Sequence, residues 1–166
     1  MIVVSDTSPL NYLILIGAIE ILPGLFDRVI IPESVARELA HERAPEDVRS
    51  WIAGPPSWLE VRAPEATDPT MMLDVGERDA LSLALELQPD LVLVDDKAAR
   101  TVARDRGLSV AGTLALLELA SQQGLVDLAA ALEALISTSF RVRKDVIEAL
   151  LTELARRLND PRDDDV

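Results

Sequence analysis

Met1-Ile-Val-Val-Ser-Asp-Thr-Ser-Pro-Leu-Asn11 is the stretch that decides how the rest of the chain is read. Ile2, Val3 and Val4 are a short β-branched run. Ser5, Asp6, Thr7 and Ser8 then bring together one carboxylate and three hydroxyls, and Pro9 opens a long apolar stretch, Leu10 to Leu22. The pattern predicts a buried strand over about residues 2–5, a tight turn, and a helix with proline in its first turn. An acid at the carboxyl end of a first strand is a common place for chemistry in an α/β fold. The competing reading makes Asp6 or Ser8 a plain helix cap.

The same alternation continues downstream. Helical material is expected to about Leu25, with a break at Pro23-Gly24. Arg28–Ile31 reads as a strand ended by Pro32, and Glu33 to Arg43 as a helix with Val35, Ala36, Leu39 and Ala40 on one face. A short helix over 45–53 precedes the break Gly54-Pro-Pro56, and Trp58–Arg62 alternates like an edge strand. A loop over 63–70 leads to a helix over 76–87. Leu91–Val94 is a continuous apolar strand of the kind buried on both faces, ended by Asp95-Asp96. Lys97 to Arg106 is a helix closed by Gly107, and 108–110 is a last strand. Three helical segments follow, roughly 112–123, 126–136 and 142–158.

Strands alternating with helices predict an α/β fold, a parallel sheet of about five strands with helices on both faces. The expected strand order is 3-2-1-4-5, which makes strands 1 and 4 neighbours at the switch point of the winding. The domain reading is residues 1–136 as the main domain, 137–158 as a C-terminal helical extension packed on it, and 159–166 as an acidic, disordered tail.

Composition narrows the chemistry. The chain has 166 residues, 49% of them apolar and only 3% aromatic, so Leu, Val, Ile and Ala must build the core. It has no cysteine and one histidine, His41, which excludes disulfides, thiolate metal sites and multi-histidine zinc sites within one chain. This suits a cytoplasmic protein. The N-terminus has no basic region and Asp6 interrupts it early, unlike a signal peptide. The apolar run to Leu25 is too short and polar to span a bilayer, so no membrane is expected. A net charge of −13 argues against tight nonspecific nucleic-acid binding, though not against a nucleic-acid substrate held through metal ions and a local basic patch.

The proposed topology carries a sharper expectation. Asp6 ends strand 1, and Asp95 and Asp96 end strand 4, at the same sheet edge and about 5 Å apart across the strands. Carboxylates that close share protons or bind a hard cation, and an all-oxygen donor set selects Mg²⁺ or Mn²⁺ over zinc. One of Asp95 and Asp96 is expected to cap the helix starting at Lys97. Glu38 borders a buried helix face, where pairing with Arg37 or Arg43 is the alternative to a functional role. Glu77 lies in a first helical turn, where a favourable dipole contact is the alternative.

At this point the residues resemble a known family, the PIN-domain proteins, and within them VapC-like toxins. Four pieces carry the match: Val4-Ser-Asp-Thr-Ser-Pro-Leu-Asn11, Ile31-Pro-Glu-Ser-Val-Ala-Arg-Glu38-Leu, Val75-Gly-Glu77-Arg-Asp-Ala-Leu-Ser-Leu-Ala84, and Leu93-Val-Asp-Asp-Lys-Ala-Ala-Arg100. Together they span residues 1 to about 110, and the helices beginning Ala111-Gly-Thr resemble a subgroup with an added helical tail. The resemblance implies a PIN-like three-layer sandwich and a Mg²⁺- or Mn²⁺-dependent ribonuclease. The acids it implies are Asp6, Glu38, Glu77 and one of Asp95 or Asp96, with Ser8 and Asn11 as polar neighbours. Many relatives set the third acid where this chain has Asp79. The resemblance also implies an RNA substrate, an antitoxin protein as inhibitor, and a homodimer. Arg37, Lys97 and Arg100 are candidate cations to offset the acidic charge.

Three rivals stand beside this reading. A phosphatase with Asp6 as nucleophile would place a second Asp where Ser8 stands. A receiver domain would put its acidic pair after strand 1. A non-catalytic PIN scaffold would bind RNA or a protein without cutting it.

Overall fold

The run Ile2–Ser5 forms β1, and in a computed structural model describing residues 1–159 it is the central strand of a five-stranded sheet. The other strands are β2 (Arg28–Ile31), β3 (Leu59–Val61), β4 (Leu91–Leu93) and β5 (Val110–Ala111). Their order is β3-β2-β1-β4-β5, and every pairing is parallel. This is the α/β sheet that the alternating pattern predicts.

The helices are α1 (Thr7–Leu15), α2 (Ile21–Leu25), α3 (Glu33–Leu39), α4 (Glu46–Ala53), α5 (Val75–Leu87), α6 (Lys97–Asp105), α7 (Thr113–Gln122), α8 (Leu128–Ile136) and α9 (Lys144–Leu158). The acidic tail from Asp160 onward lies outside the described residues. Among the described residues no helix is long and apolar enough to cross a membrane.

Period-2 alternation divides the core into two layers. Val3, Val29, Ile31 and Leu93 face one cluster with Leu10, Leu13, Val35, Leu116, Leu117, Leu132 and Ile147. Val4, Ile30 and Val92 face the other, against Ala80, Leu81, Leu83, Ala84 and Ala103 of α5 and α6. Each fully buried leucine contributes roughly 2 kcal/mol. The segment after Ile136 joins the first layer: Ile147 is buried in it, and Tyr12 meets Phe140 edge-on at 4.9 Å.

Three boundaries differ from expectation. The helix expected over Glu33 to Arg43 ends at Leu39, where the chain tightens into a turn as His41 N–H donates to Glu38 O at 3.2 Å. The long apolar stretch after Asp6 breaks at Gly17 rather than at Pro23-Gly24. Gly17 takes φ 70°, and Ala18 N–H donates to Leu13 O at 2.8 Å, closing α1 in a left-handed glycine cap. Pro23 then sits in the first turn of α2, where its missing N–H costs no helical bond. The last strand is Val110–Ala111 rather than 108–110, because the cap at Gly107 (φ 78°) turns Leu108 into the core first.

Topology determines where the site lies. In a parallel sheet each crossover helix starts where its strand ends, so the amino ends of α1, α3, α5, α6 and α7 gather at the carboxyl edge. The first turn of α5, with Glu77, is therefore at that edge. Its place in sequence, just ahead of β4, gives no hint of this.

Candidate active site

Asp6 leaves β1 at its carboxyl end, and its N–H donates to Leu93 O of β4 at 2.9 Å. Its side chain occupies the N-cap position of α1 but makes no side-chain cap bond there. It is 4% exposed. Burial pushes its carboxyl up to about 7, opposed by the Thr7 N–H and reinforced by the charges of Glu77, Glu38 and Asp95. A carboxylate in this setting is short of compensation and does not serve the helix cap.

Around it is a cavity of about 120 Å³ lined by Asp6, Thr7, Ser8, Glu38, Asp74, Gly76 and Glu77. Glu38 comes from the last turn of α3, and its carboxylate accepts a short hydrogen bond from the Thr7 hydroxyl. Glu77 comes from the first turn of α5, where its carboxylate accepts the Asp74 N–H at 3.2 Å. Burial raises the Glu77 pKa, and the charges of Asp96, Asp74 and Glu38 add to the rise. Gly76 lets these groups meet. A Cβ there would stand 3.0 Å from Glu38 Oε2 and 3.4 Å from Asp6 Oδ1.

The Asp95-Asp96 pair splits, as neighbouring residues at a strand end do. Asp95 turns toward β5 and α7. Its Oδ1 accepts the Thr113 N–H and its Oδ2 the Thr113 hydroxyl, both at 2.7 Å. Burial raises its pKa, while Thr113 and the Arg100 charge hold it down. Asp96 is exposed and caps α6, accepting the Ala99 N–H at 2.9 Å. It also lines, with Met71, Met72, Leu73, Asp74, Glu77 and Ala98, an open hollow of about 460 Å³ beside the acidic cavity.

The remaining sequence candidates sort by position. Ser8 lines the cavity, while Asn11, one turn further along α1, does not. Asp79 lies 3.4 Å from the Arg78 guanidinium and outside the lining. Arg37 pairs with Glu33 at 3.5 Å and is exposed, as is Lys97. Arg100 is half-buried near Asp95.

Sequence reasoning missed Asp74, Gly76, Gly112 and Thr113. Two signals mark them. Asp74-Val-Gly-Glu77 is a capping pattern that opens a helix at the carboxyl edge. Gly112-Thr113 directly follows β5 at that same edge, and a Cβ on Gly112 would stand 2.7 Å from Asp95 Oδ1.

The donors here are carboxylate and hydroxyl oxygens, and the only histidine, His41, accepts the Arg43 N–H with Nδ1 instead of facing the cavity. That chemistry fits a hard divalent cation. Among the described residues no three acidic groups converge closely enough to hold one ion together. Glu38, Glu77 and Asp95 each hold a protein hydrogen bond: on Thr7, on Asp74 and on Thr113.

No curated protein matches the chain. Among solved structures, it is similar to a PilT N-terminus domain protein, SSO1118, from the hyperthermophilic archaeon Sulfolobus solfataricus P2. The TM-score is 0.53 at 19% identity, over 86% of this chain and 100% of that one, a likeness of fold. A family model described as a PIN domain (DUF3368) matches residues 2–156. PIN domains are generally nucleases that use divalent metal ions. With nearly the whole described chain under that match, and the sheet in its expected order, the protein belongs to the PIN-domain family.

Proposed function

We propose that the protein is a divalent-metal-dependent endoribonuclease that hydrolyses RNA phosphodiester bonds. The observation that carries this reading is the burial of the Asp6 carboxylate at the end of the central strand, with Glu38, Glu77 and Asp95 close enough to raise its pKa. Asp6, Glu38, Glu77 and one of Asp95 or Asp96 are the residues that would hold Mg²⁺ or Mn²⁺. When bound, such an ion supplies charge neutralisation on the phosphoryl group and an activated water.

The chain's own residues set the stage for that chemistry. The bond from Asp6 N–H to Leu93 O locks the first acid to the sheet. The Thr7 hydroxyl and the Asp74 N–H hold the Glu38 and Glu77 carboxylates, respectively, at the cavity wall. Either Glu38 or Glu77 would accept a proton from the attacking water. Ser8 is a hydroxyl neighbour of Asp6, and Asn11 a polar neighbour beyond the lining.

The test is cleavage of structured and unstructured RNA with Mn²⁺, with Mg²⁺ and with chelator, beside Asp6→Asn. Cleavage is expected only with metal and an intact Asp6. Cleavage that survives chelation or the substitution overturns the reading.

The same reading places the protein in the cytoplasm as the toxin of a toxin–antitoxin pair, a homodimer inhibited by a small partner protein. Its support is the resemblance of the four motifs to VapC-like toxins. Growth arrest on expression, relieved by co-expressing the product of an adjacent gene, is the expected result. Sedimentation of the purified chain tests the dimer.

A further inference from the structure

We propose that Arg100 is a substrate-binding residue that grips a phosphodiester group of the RNA at the Asp95 end of the site. The inference rests on the nuclease reading above and adds a subsite to it.

The chain carries 29 acidic side chains against 16 lysines and arginines, so a cation that stays unpaired needs a reason. Among the described residues, the lysines and arginines without an ion pair are all exposed except Arg100. Arg100 is half-buried, on the second turn of α6. Its Nε is buried and has no hydrogen-bond partner in the protein. A buried donor left unmet is costly, and folded proteins carry few.

The nearest carboxylate does not meet it. Asp95 feels the Arg100 charge, yet the pair forms no ion pair within 4.0 Å, and both Asp95 oxygens accept from Thr113. The open backbone at Gly112 lies beside the guanidinium: a Cβ there would be 3.6 Å from Arg100 Nη1. So a planar five-donor fork stands beside the acid cluster without an anion of its own. Guanidinium forks match the paired non-bridging oxygens of a phosphate. An anionic chain crossing the carboxyl edge would meet this cation next to Asp95, where it offsets the repulsion of the acids.

Binding of a labelled single-stranded RNA is measured across a salt series with Ca²⁺ present, together with KM and kcat for its cleavage with Mn²⁺. The proteins compared are wild type, Arg100→Ala, Arg100→Gln and Arg100→Lys. Loss of one phosphate contact is expected to shallow the slope of log affinity against log salt by about 0.7–1, and to raise KM about tenfold with a smaller change in kcat. Arg100→Lys is expected to keep the slope and lose part of the affinity, because the charge stays and the fork goes. Arg100→Gln preserves bulk where Arg100→Ala destabilises the fold. An unchanged slope and KM in a folded variant overturn the proposal. So does weakened Mn²⁺ binding with the RNA salt slope intact, which would assign Arg100 to orienting Asp95. A wild-type protein that binds RNA with the Arg100-dependent slope but never cleaves it defeats the nuclease reading and leaves the subsite standing.

Discussion

Gly76 and Glu38, on different helices, approach so closely that a methyl group on Gly76 would stand 3.0 Å from the Glu38 carboxylate. The same methyl would lie 3.4 Å from Asp6 Oδ1. Gly76 sits in the first turn of α5 without a positive φ, so alanine suits its backbone and gains roughly 0.5–1 kcal/mol of helix preference. Glu38 is exposed and able to yield a few tenths of an ångström. Gly76→Ala is therefore expected to leave the melting temperature unchanged or slightly higher while lowering divalent-cation affinity and cleavage at least several-fold. Calorimetry beside a metal titration checks it. A variant that melts several degrees lower shows that the contact matters to folding first.

Stability of the metal-free protein is expected to fall as pH rises from about 4 to about 7. Asp6 titrates from 3.8 in the unfolded chain to about 7 in the folded one, so across that window the folded state holds the extra proton. The stabilisation is complete below the lower value and gone above the upper, about 4 kcal/mol in all. Glu77 and Asp95, also raised, act in the same direction. Asp68 and Glu153, lowered to about 2 by Thr70 and Arg156 respectively, act oppositely and only in stronger acid. Thermal melts at pH 5 and pH 8, with and without Mg²⁺, read the effect. Asp6→Asn should flatten the slope, and Mg²⁺ should stabilise the wild type more at pH 8 than at pH 5. The same slope in Asp6→Asn would sink the assignment.

The sheet was legible because its strands are apolar runs bounded by turn residues, and chain alternation with right-handed crossovers leaves few orders open. Asp6 and the Asp95-Asp96 pair were legible for the same reason, since a strand end is a place one can name from sequence. The partners of those acids were not. The bond from Thr7 to Glu38 links residues 31 apart, and that from Thr113 to Asp95 links residues 18 apart. Neither spacing follows from periodicity. Glu77 was hard to place because sequence order sets α5 ahead of β4, whereas the position of its first turn follows from the end of β3. The break at Gly17 was missed because Pro23-Gly24 is the louder signal, although proline in a first helical turn interrupts nothing.

Thr113 is fully buried, and its hydroxyl and N–H both go to Asp95. Thr113→Val keeps the shape and removes the hydroxyl, leaving Asp95 Oδ2 without its donor. The expected cost is about 1–3 kcal/mol in chemical denaturation. Thr113→Ser keeps the donor and should recover most of the difference. If serine is destabilised while valine is not, the methyl packing and not the hydrogen bond sets the effect.

Asp95 and Asp96 are adjacent in sequence but do different work, and their variants should separate. Asp96 is exposed and its Oδ1 caps α6 on Ala99 N–H. Asp96→Ala is expected to cost about 1 kcal/mol of stability, and Asp96→Ser, which retains a capping oxygen, only a few tenths. Asp95 is the member of the pair whose charge reaches Asp6. Asp95→Asn preserves the acceptor for Thr113 N–H while removing the charge, so it should fold and lose RNA cleavage by at least a hundredfold. Asp96→Ser should cleave within a fewfold of wild type. The opposite ranking, with Asp96→Ser inactive and Asp95→Asn active, would make the exposed cap residue the fourth acid and move the metal toward the Met72 side of Glu77.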